Sequence, residues 1–288
     1  MKTIGEALRE TEATFSKAGS PTPRLDAEVL LSHCLKTDRV RFFTHPEQIV
    51  DDKTLADYGD AIKKRQKGEP VSYIIGCKEF WSLFFHVNSA VMIPRPDTEI
   101  IVEETLMVMA EQPQDHWTIL EVGTGSGAIA VSLASEQQNV NITATDISEM
   151  ALHVARENAQ RNNVADRIFF MQGDMLAPLH DQRFDMIISN PPYISCHDFL
   201  LLPEGIRHYE PHLALIAGND GTEFHQQLIE EGLSYLNQGG WLIMEMGTGQ
   251  GKTIQKYFEA AKCYESINIR CDYAGMERVI KGRRINHG

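Results

Sequence analysis

Thr118-Ile-Leu-Glu-Val-Gly123-Thr-Gly-Ser-Gly127-Ala-Ile-Ala130 is an apolar strand that turns on alternate glycines straight into the start of a helix, and no other feature narrows the fold so far. Glycine is required where a chain reverses this tightly and where a ligand must approach the backbone too closely for a Cβ. From Thr98 onward, apolar strand-like runs alternate with helical ones, which predicts a parallel sheet with crossover helices. The expected strands are Thr118–Val122, Asn141–Thr145, Arg167–Gln172, Phe184–Ser189 and Gly240–Met246, with helices beginning near Ser126, Ser148, Gly221 and Gly249. Two further runs, Ser266–Ile269 and Arg278–Ile280, leave no room for a crossover helix between them and predict an antiparallel closing hairpin.

The first part of the chain follows another pattern. Between Ile4 and about Gln66 apolar residues recur at three- and four-residue intervals, as in Ala27, Leu30, Leu31, Cys34 and Leu35, the spacing of one buried helix face. Ser20-Pro-Thr-Pro23 separates the first helix from the second, and Asp51-Asp-Lys-Thr54 reads as the cap of another that ends in Lys63, Lys64, Arg65 and Lys67, cations at the negative end of its dipole. The aromatic stretch Glu79–Asn88 suits a strand pair. The expected organisation is a helical bundle over residues 1–75, a β-hairpin linker over 76–92, and an α/β domain over 93–288. Charge divides along the same line. Residues 1–90 carry 13 basic and 13 acidic side chains, whereas residues 91–288 carry 14 and 27, so the whole net charge of −13 lies on the α/β part. Such a surface repels polyanions, and direct DNA binding is not expected.

Cys34, Cys77, Cys196, Cys263 and Cys271 are scattered singly and signal neither a disulfide framework nor a zinc site; no metal is expected. The first residues are amphipathic and acidic, without the apolar core of a secretory signal, and no apolar stretch approaches the ~18 residues of a membrane span. The chain reads as cytoplasmic, reduced and without a membrane partner.

The glycine turn lacks the third glycine position of the dinucleotide fingerprint G-x-G-x-x-G and the Lys-Ser/Thr ending of a P-loop, so both phosphate-cradling readings lose weight. Asp146 ends the next expected strand, 19 residues after Gly127, where doubly wound folds set a carboxylate against ribose hydroxyls. Capping of the helix near Ser148 is a second role for Asp146 that does not exclude the first. Asp174 follows the third strand at the same edge, suited to accept an exocyclic adenine amine, with Met175 beside the ring. Together these residues describe a pocket for an adenosyl group without phosphates, which S-adenosylmethionine fits. Glu121 has two open readings, facing the cationic amino end of such a ligand or a structural role.

The strand Phe184–Ser189 runs directly into Asn190-Pro191-Pro192-Tyr193. The prolines stiffen the loop and hold the Asn190 side chain and the Pro191 carbonyl in fixed relation. A stiff pair of acceptors suits a planar NH2 group, whose nitrogen is a poor nucleophile because its lone pair is delocalised. Accepting both hydrogens holds the nitrogen and favours pyramidalisation toward a methyl donor, a catalytic effect of positioning and electrostatics. Tyr193 offers an aromatic face for a flat amide or base. His208, His212 and His225 have neither metal-ligand nor hydrolase spacing, and Ser126 lies in no nucleophile elbow.

These residues resemble the class I S-adenosylmethionine-dependent methyltransferases, and within them the HemK/PrmC release factor glutamine methyltransferases. Besides the glycine turn and Asn190–Tyr193, the resemblance takes in Glu69-Pro-Val-Ser-Tyr-Ile-Ile-Gly76, Phe80 to Phe85, Val91-Met-Ile-Pro-Arg-Pro-Asp-Thr-Glu99, Tyr209-Glu-Pro-His-Leu-Ala-Leu215 and Asp272-Tyr-Ala-Gly-Met-Glu-Arg-Val279, nearly the whole chain. It implies a Rossmann-like, doubly wound seven-stranded sheet. It implies N5-methylation of the glutamine in the Gly-Gly-Gln motif of class I peptide chain release factors, from S-adenosylmethionine and with release of S-adenosylhomocysteine. By the same resemblance Gly123, Thr124, Gly125, Ser126, Gly127, Asp146 and Met175 line the cofactor site. Asn190, Pro191, Pro192 and Tyr193 hold the substrate glutamine, with Asn190 also near the methyl donor, and the helical domain helps recognise the release factor. Met175 stands where relatives often have an aromatic. Arg95 and Thr98 lie in the most specific segment, their roles open between function and a salt bridge or helix cap. Two other classes remain: a nucleic-acid amino-methyltransferase acting on adenine N6, cytosine N4 or guanine N2, and a cofactor-binding scaffold, which has no need of an intact Asn190–Tyr193.

Overall fold

A computed structural model describes residues 2–286; Met1, His287 and Gly288, the outermost residues of the domain spans given above, lie outside the described residues. The chain gathers into two compact units. One comprises the residues up to Cys77 together with Pro203–Tyr209, the other Lys78–Leu202 and the chain from Glu210 on.

The first unit runs β1 (Lys2–Thr3), α1 (Ile4–Lys17), α2 (Pro23–Leu35), α3 (Val40–Thr44), β2 (Ile49–Val50), α4 (Asp52–Gln66) and α5 (Val71–Ile75). Local chemistry starts each long helix. Thr3 and Glu6 form a reciprocal capping box on α1, Pro23 opens α2, and the Asp51 carboxylate accepts from Thr54 N at 2.9 Å ahead of α4. The apolar stripes meet in a core that includes Ile4, Leu8, Phe15, Leu30, Leu31 and Tyr58. Arg65, expected as a cation at the negative end of the α4 dipole, also turns inward and donates to the buried Asp26 of α2 at 2.8 Å.

The second unit opens with the hairpin β3 (Cys77–Phe80) and β4 (Leu83–His86), the stretch expected as a linker. It packs on the unit's own helices. It continues with α6 (Glu99–Glu111), β5 (Trp117–Val122), α7 (Ala128–Glu136), β6 (Val140–Asp146), α8 (Glu149–Arg161), β7 (Ile168–Gln172), β8 (Phe184–Ser189) and α9 (Cys196–Phe199). The chain then leaves for α10 (Glu204–Tyr209), a piece of the first unit, and returns for α11 (Glu223–Gly232), β9 (Leu236–Glu245), α12 (Gly251–Ala261), β10 (Tyr264–Cys271) and β11 (Glu277–Arg284).

The seven strands lie in the order β10-β11-β9-β8-β5-β6-β7, parallel except for β11, which is antiparallel to both neighbours. The closing hairpin is therefore present as the sequence predicts. On one face Leu120, Ile187 and Leu242 pack with Leu228 of α11 and Phe258 of α12. β5 lies between β8 and β6, so the connections run outward to either side of it, and this switch point is where sheets of this kind bind ligands. The sequence reading did not separate out α6. Ile100, Ile101, Val102, Val108 and Met109 are all buried, and a helix covered on most sides loses the polar stripe that periodicity detects.

Candidate functional site

The glycine turn sits at the carboxyl end of β5. Gly123, Gly125 and Gly127 take φ of +75°, +55° and +80°, conformations that side chains other than glycine's rarely adopt. The amides of Gly123 and Thr124 both donate to Thr145 O at 2.9 Å, so the turn is pinned to the end of β6. Asp146, the last residue of β6, completes the clamp: its Oδ2 accepts from Gly125 N at 2.8 Å and its Oδ1 from Ser148 N at 2.9 Å. Burial raises its pKa above the ordinary carboxylate range, while these amides pull it back. Glu121 is 1% exposed, accepts from Thr124 Oγ1 at 2.7 Å and Ala130 N at 3.2 Å, and is pushed by burial to about 8.

A cavity of about 300 Å³ opens above this turn, within the size range of ligand pockets. Glu121, Gly123, Thr124, Gly125, Ser126, Asp146, Asp174, Met175, Asn190, Pro191 and Pro192 all line it. Gly127 and Tyr193 do not. Gly127 caps α7, and a Cβ there would come within 3.2 Å of Ala155, so this glycine serves helix packing. The Tyr193 hydroxyl is directed to Glu245 Oε1 at 3.3 Å. The unforeseen lining residues include Ile147, Ile129, Val91, Leu213 and Phe224. Val91 and Leu213 lie in segments that carry the resemblance, whereas the signal of Ile129, Ile147 and Phe224 is only apolar character, which core residues share.

The cavity's charged lining residues are Glu121, Asp146 and Asp174, all acids, with no Lys, Arg or His among them. This is unsuited to a phosphate and suited to a cationic ligand rich in hydroxyls. A Cβ on Gly123 or Gly125 would meet nothing within 4 Å, so both glycines border open space that side chains would fill. These residues fit an adenosyl sulfonium with an amino-acid tail. Among the described residues no group of three or more His, Cys, Asp or Glu is disposed to hold a metal ion.

Asn190 follows β8, whose Ser189 hydroxyl donates to Val122 O at 2.8 Å, so the loop is fixed against the end of β5. The Asn190 Nδ2 donates to Thr98 Oγ1 at 3.3 Å. Past the prolines the loop is tied down twice more: Gln250 Nε2 donates to Tyr193 O at 2.9 Å, and Ile194 N donates to Leu215 O at 3.0 Å. Thr98 and Arg95, whose roles the sequence left open, now have partners. Thr98 precedes α6 without capping it through its side chain and instead holds Asn190, whereas Arg95 pairs with the buried Glu210.

Residues 6–76 match the family model of the PrmC N-terminal domain, and residues 102–201 match that of the methyltransferase small domain. The chain is similar to the release factor glutamine methyltransferase of Coxiella burnetii, 40% identical over 288 residues that cover 99% of this chain and 100% of that one. It is similar to that of Aliivibrio fischeri, 38% identical over 281 residues and 97% of each. Among solved structures it resembles the N-terminal domain of human METTL16 in complex with SAH, at 17% identity and a TM-score of 0.53, covering 76% of this chain and 82% of that one. It also resembles a methyltransferase from Pyrococcus furiosus, at 19% identity and a TM-score of 0.51, covering 82% and 100%. At such identities these two likenesses concern the fold.

Proposed function

The chain belongs to the release factor glutamine methyltransferase family, and from that premise we propose that it methylates the N5 amide nitrogen of the Gly-Gly-Gln glutamine in class I peptide chain release factors, using S-adenosylmethionine. The observation that carries this reading is a cavity whose charged lining is wholly acidic and whose lining also includes Asn190-Pro191-Pro192. When bound, S-adenosylmethionine supplies an electrophilic methyl group. Glu121 would face the amino end of the bound ligand, the glycine turn would give it room, Asp146 would accept from the ribose, and Asp174 and Met175 would meet the adenine. Asp146 has lone pairs left for this, since each oxygen accepts a single backbone amide.

Asn190 and Pro191 hold the acceptor. With Nδ2 engaged by Thr98, the Asn190 amide keeps Oδ1 for one hydrogen of the substrate NH2, and the Pro191 carbonyl takes the other. Both acceptors favour the pyramidal nitrogen of the transition state over the planar amide, so they stabilise the former selectively. Tyr193 offers its ring to the glutamine amide, with its hydroxyl anchored on Glu245. The helical unit takes part in recognising the release factor. The acidic sheet unit argues against a DNA substrate, and no helix among the described residues is long and apolar enough to cross a membrane. A cytoplasmic setting suits that substrate.

Methyl transfer from labelled S-adenosylmethionine tests the assignment, with release factor, its Gly-Gly-Gln glutamine variant, and bulk DNA and RNA offered in parallel. Label on the wild-type factor alone is expected. Label on nucleic acid alone would transfer the same loop chemistry to a base amine.

A further inference from the structure

The loop that holds the acceptor is fixed at its far end by a side chain that the reaction as described leaves without a role. Gln250 stands at the N-cap of α12, a position that favours short side chains able to bond the first turn, yet its own makes no capping bond. The amide reaches back instead. Its Nε2 donates to Tyr193 O at 2.9 Å and to Gly221 O at 3.0 Å, and its Oε1 accepts from Gly247 N at 2.9 Å. Both amide hydrogens are therefore engaged by carbonyls, and the Gly247 amide fixes which end of the side chain faces them.

Two glycines make room for this bracket. A Cβ on Gly221 would lie 2.6 Å from Tyr193 O and 2.9 Å from Gln250 Nε2, and one on Gly247 would lie 3.1 Å from both Gln250 Oε1 and Tyr193 Cδ2. Beyond Tyr193 the backbone is held as well, with Ile194 N donating to Leu215 O at 3.0 Å and Cys196 N to Gly218 O at 2.9 Å. At the other end of the loop Asn190 is held by Thr98. Only Pro191 and Pro192 lie between the two anchored residues, and each ring fixes its own φ. With so few free torsions, the position of Tyr193 O governs the direction of the Pro191 carbonyl.

We propose that Gln250 is a positioning residue for methyl transfer: by holding Tyr193 O it directs the Pro191 carbonyl at the substrate NH2, in register with Asn190 Oδ1. The proposal rests on the reading of Asn190 and Pro191 as the acceptors of that NH2. It also accounts for the residue type. Glutamate, of equal size, would set an oxygen against two carbonyl oxygens, and methionine, of similar length, would deprive both carbonyls and Gly247 N of this partner. Gln250, Tyr193, Gly221 and Gly247 are all absent from the lining of the cofactor cavity, so the bracket acts on the acceptor side of the reaction.

The test uses the full-length enzyme with release factor, each rate being scaled to the folded enzyme counted by S-adenosylmethionine titration. Gln250→Met is expected to lower kcat on the order of 10- to 100-fold, the scale of a misplaced catalytic group, while the dissociation constant of S-adenosylmethionine stays near the wild-type value. Gln250→Glu should lose at least as much despite its matching shape. In an Asn190→Ala background, Gln250→Met should lower the residual rate far less than it does in the wild type, because both residues serve one acceptor pair; a merely structural defect would act equally in both. Wild-type kcat in either Gln250 variant, a loss shared equally by cofactor affinity, or equal losses in the two backgrounds would each overturn the proposal. Asn190→Ala by itself separates the two levels. Lost turnover there with a fully active Gln250→Met removes only the positioning role, whereas a fully active Asn190→Ala removes the acceptor reading and this proposal with it.

Discussion

Asp146 carries two loads that a single substitution will expose together. Its carboxylate spans the glycine turn and the start of α8, and the same group is the proposed ribose acceptor. Asp146→Ala should weaken S-adenosylmethionine binding by ~1.5–3 kcal/mol, the range for hydrogen bonds to a charged group, and should lower the melting temperature because Gly125 N loses its acceptor. Asp146→Asn, which keeps one acceptor oxygen, should lose less of both. An unchanged dissociation constant in folded Asp146→Ala would take this residue out of the ribose site. Glu121 gives a prediction with a pH sign. Its folded carboxyl stands at about 8 against 4.5 for the free group, so the native state retains a proton that the unfolded chain has released. The resulting stabilisation is complete below pH 4.5 and is lost as pH rises through about 8. Melting temperature should therefore fall from Glu121 over that interval, and Glu121→Gln should flatten this part of the profile; a slope unchanged in the variant would show that the group does not titrate there. A cation placed against Glu121 favours its ionised form, so cofactor binding should release protons between those limits. At this scale the sequence exposes what is contiguous. The glycine turn and Asn190–Tyr193 can be read because each packs its chemistry into a few neighbouring residues. Glu245 cannot, because it is far along the chain from Tyr193 and looks ordinary alone, and Thr98, singled out with its role open, gains one only from its place beside Asn190. Tyr193 shows the same limit: its ring type fits a stacking platform, and only the structure gives its hydroxyl a partner, Glu245.

The strands were legible as elements because each is a short apolar run bounded by turn residues, and β8 begins and ends where its sequence pattern does. Boundaries moved where hydrogen bonding extends past the apolar stretch. β9 begins at Leu236, which pairs with Phe184, rather than at Gly240; the pairing breaks register over Asn237–Gly240 and resumes at Trp241 opposite Met186, and an irregularity of this kind does not advertise a strand. The turn after β7 depends on a residue that sequence reasoning passed over. A Cβ on Gly173 would stand 2.5 Å from Pro178 Cγ, so only glycine lets the chain fold back and present Asp174 and Met175 to the cavity. Met175 itself has φ +49°, so this turn is already strained. Gly173→Ala should therefore cost about 1–3 kcal/mol, the usual scale of overpacking. It should also weaken cofactor binding more than it weakens the fold elsewhere, because the displaced segment is the adenine side of the pocket. Chemical denaturation and a cofactor titration on the same variant separate the two effects. Wild-type affinity with reduced stability would mean that Asp174 and Met175 make no energetic contact with the ligand.

At the scale of the molecule, the chain crosses between its units more often than a linear domain plan allows. Pro203–Tyr209 belongs with the helical unit, where the Tyr209 hydroxyl donates to Lys67 O at 3.0 Å and a Cβ on Gly205 would lie 2.9 Å from Gly68 O. Periodicity could not foresee this, because the segment's partners are some 140 residues earlier in the chain. Cutting the chain at Cys77 would strand that segment without its partners, so truncation cannot measure what the helical unit contributes to substrate choice. Surface substitution can. Val40 and Phe43 on α3 are 63% and 68% exposed, whereas Phe42 between them is buried in the unit's core, so the outward pair can be changed without opening that core. If the helical unit helps to bind the release factor, Phe43→Ser combined with Val40→Ser should raise KM for the factor by roughly tenfold, the cost of losing an aromatic contact of about 1–2 kcal/mol. The dissociation constant of S-adenosylmethionine and kcat at saturating factor should not move, because the cavity is built wholly from residues of the sheet unit. An unchanged KM would shift recognition away from α3, and a fall in kcat at saturation would mean that α3 also governs how the glutamine is presented to Asn190.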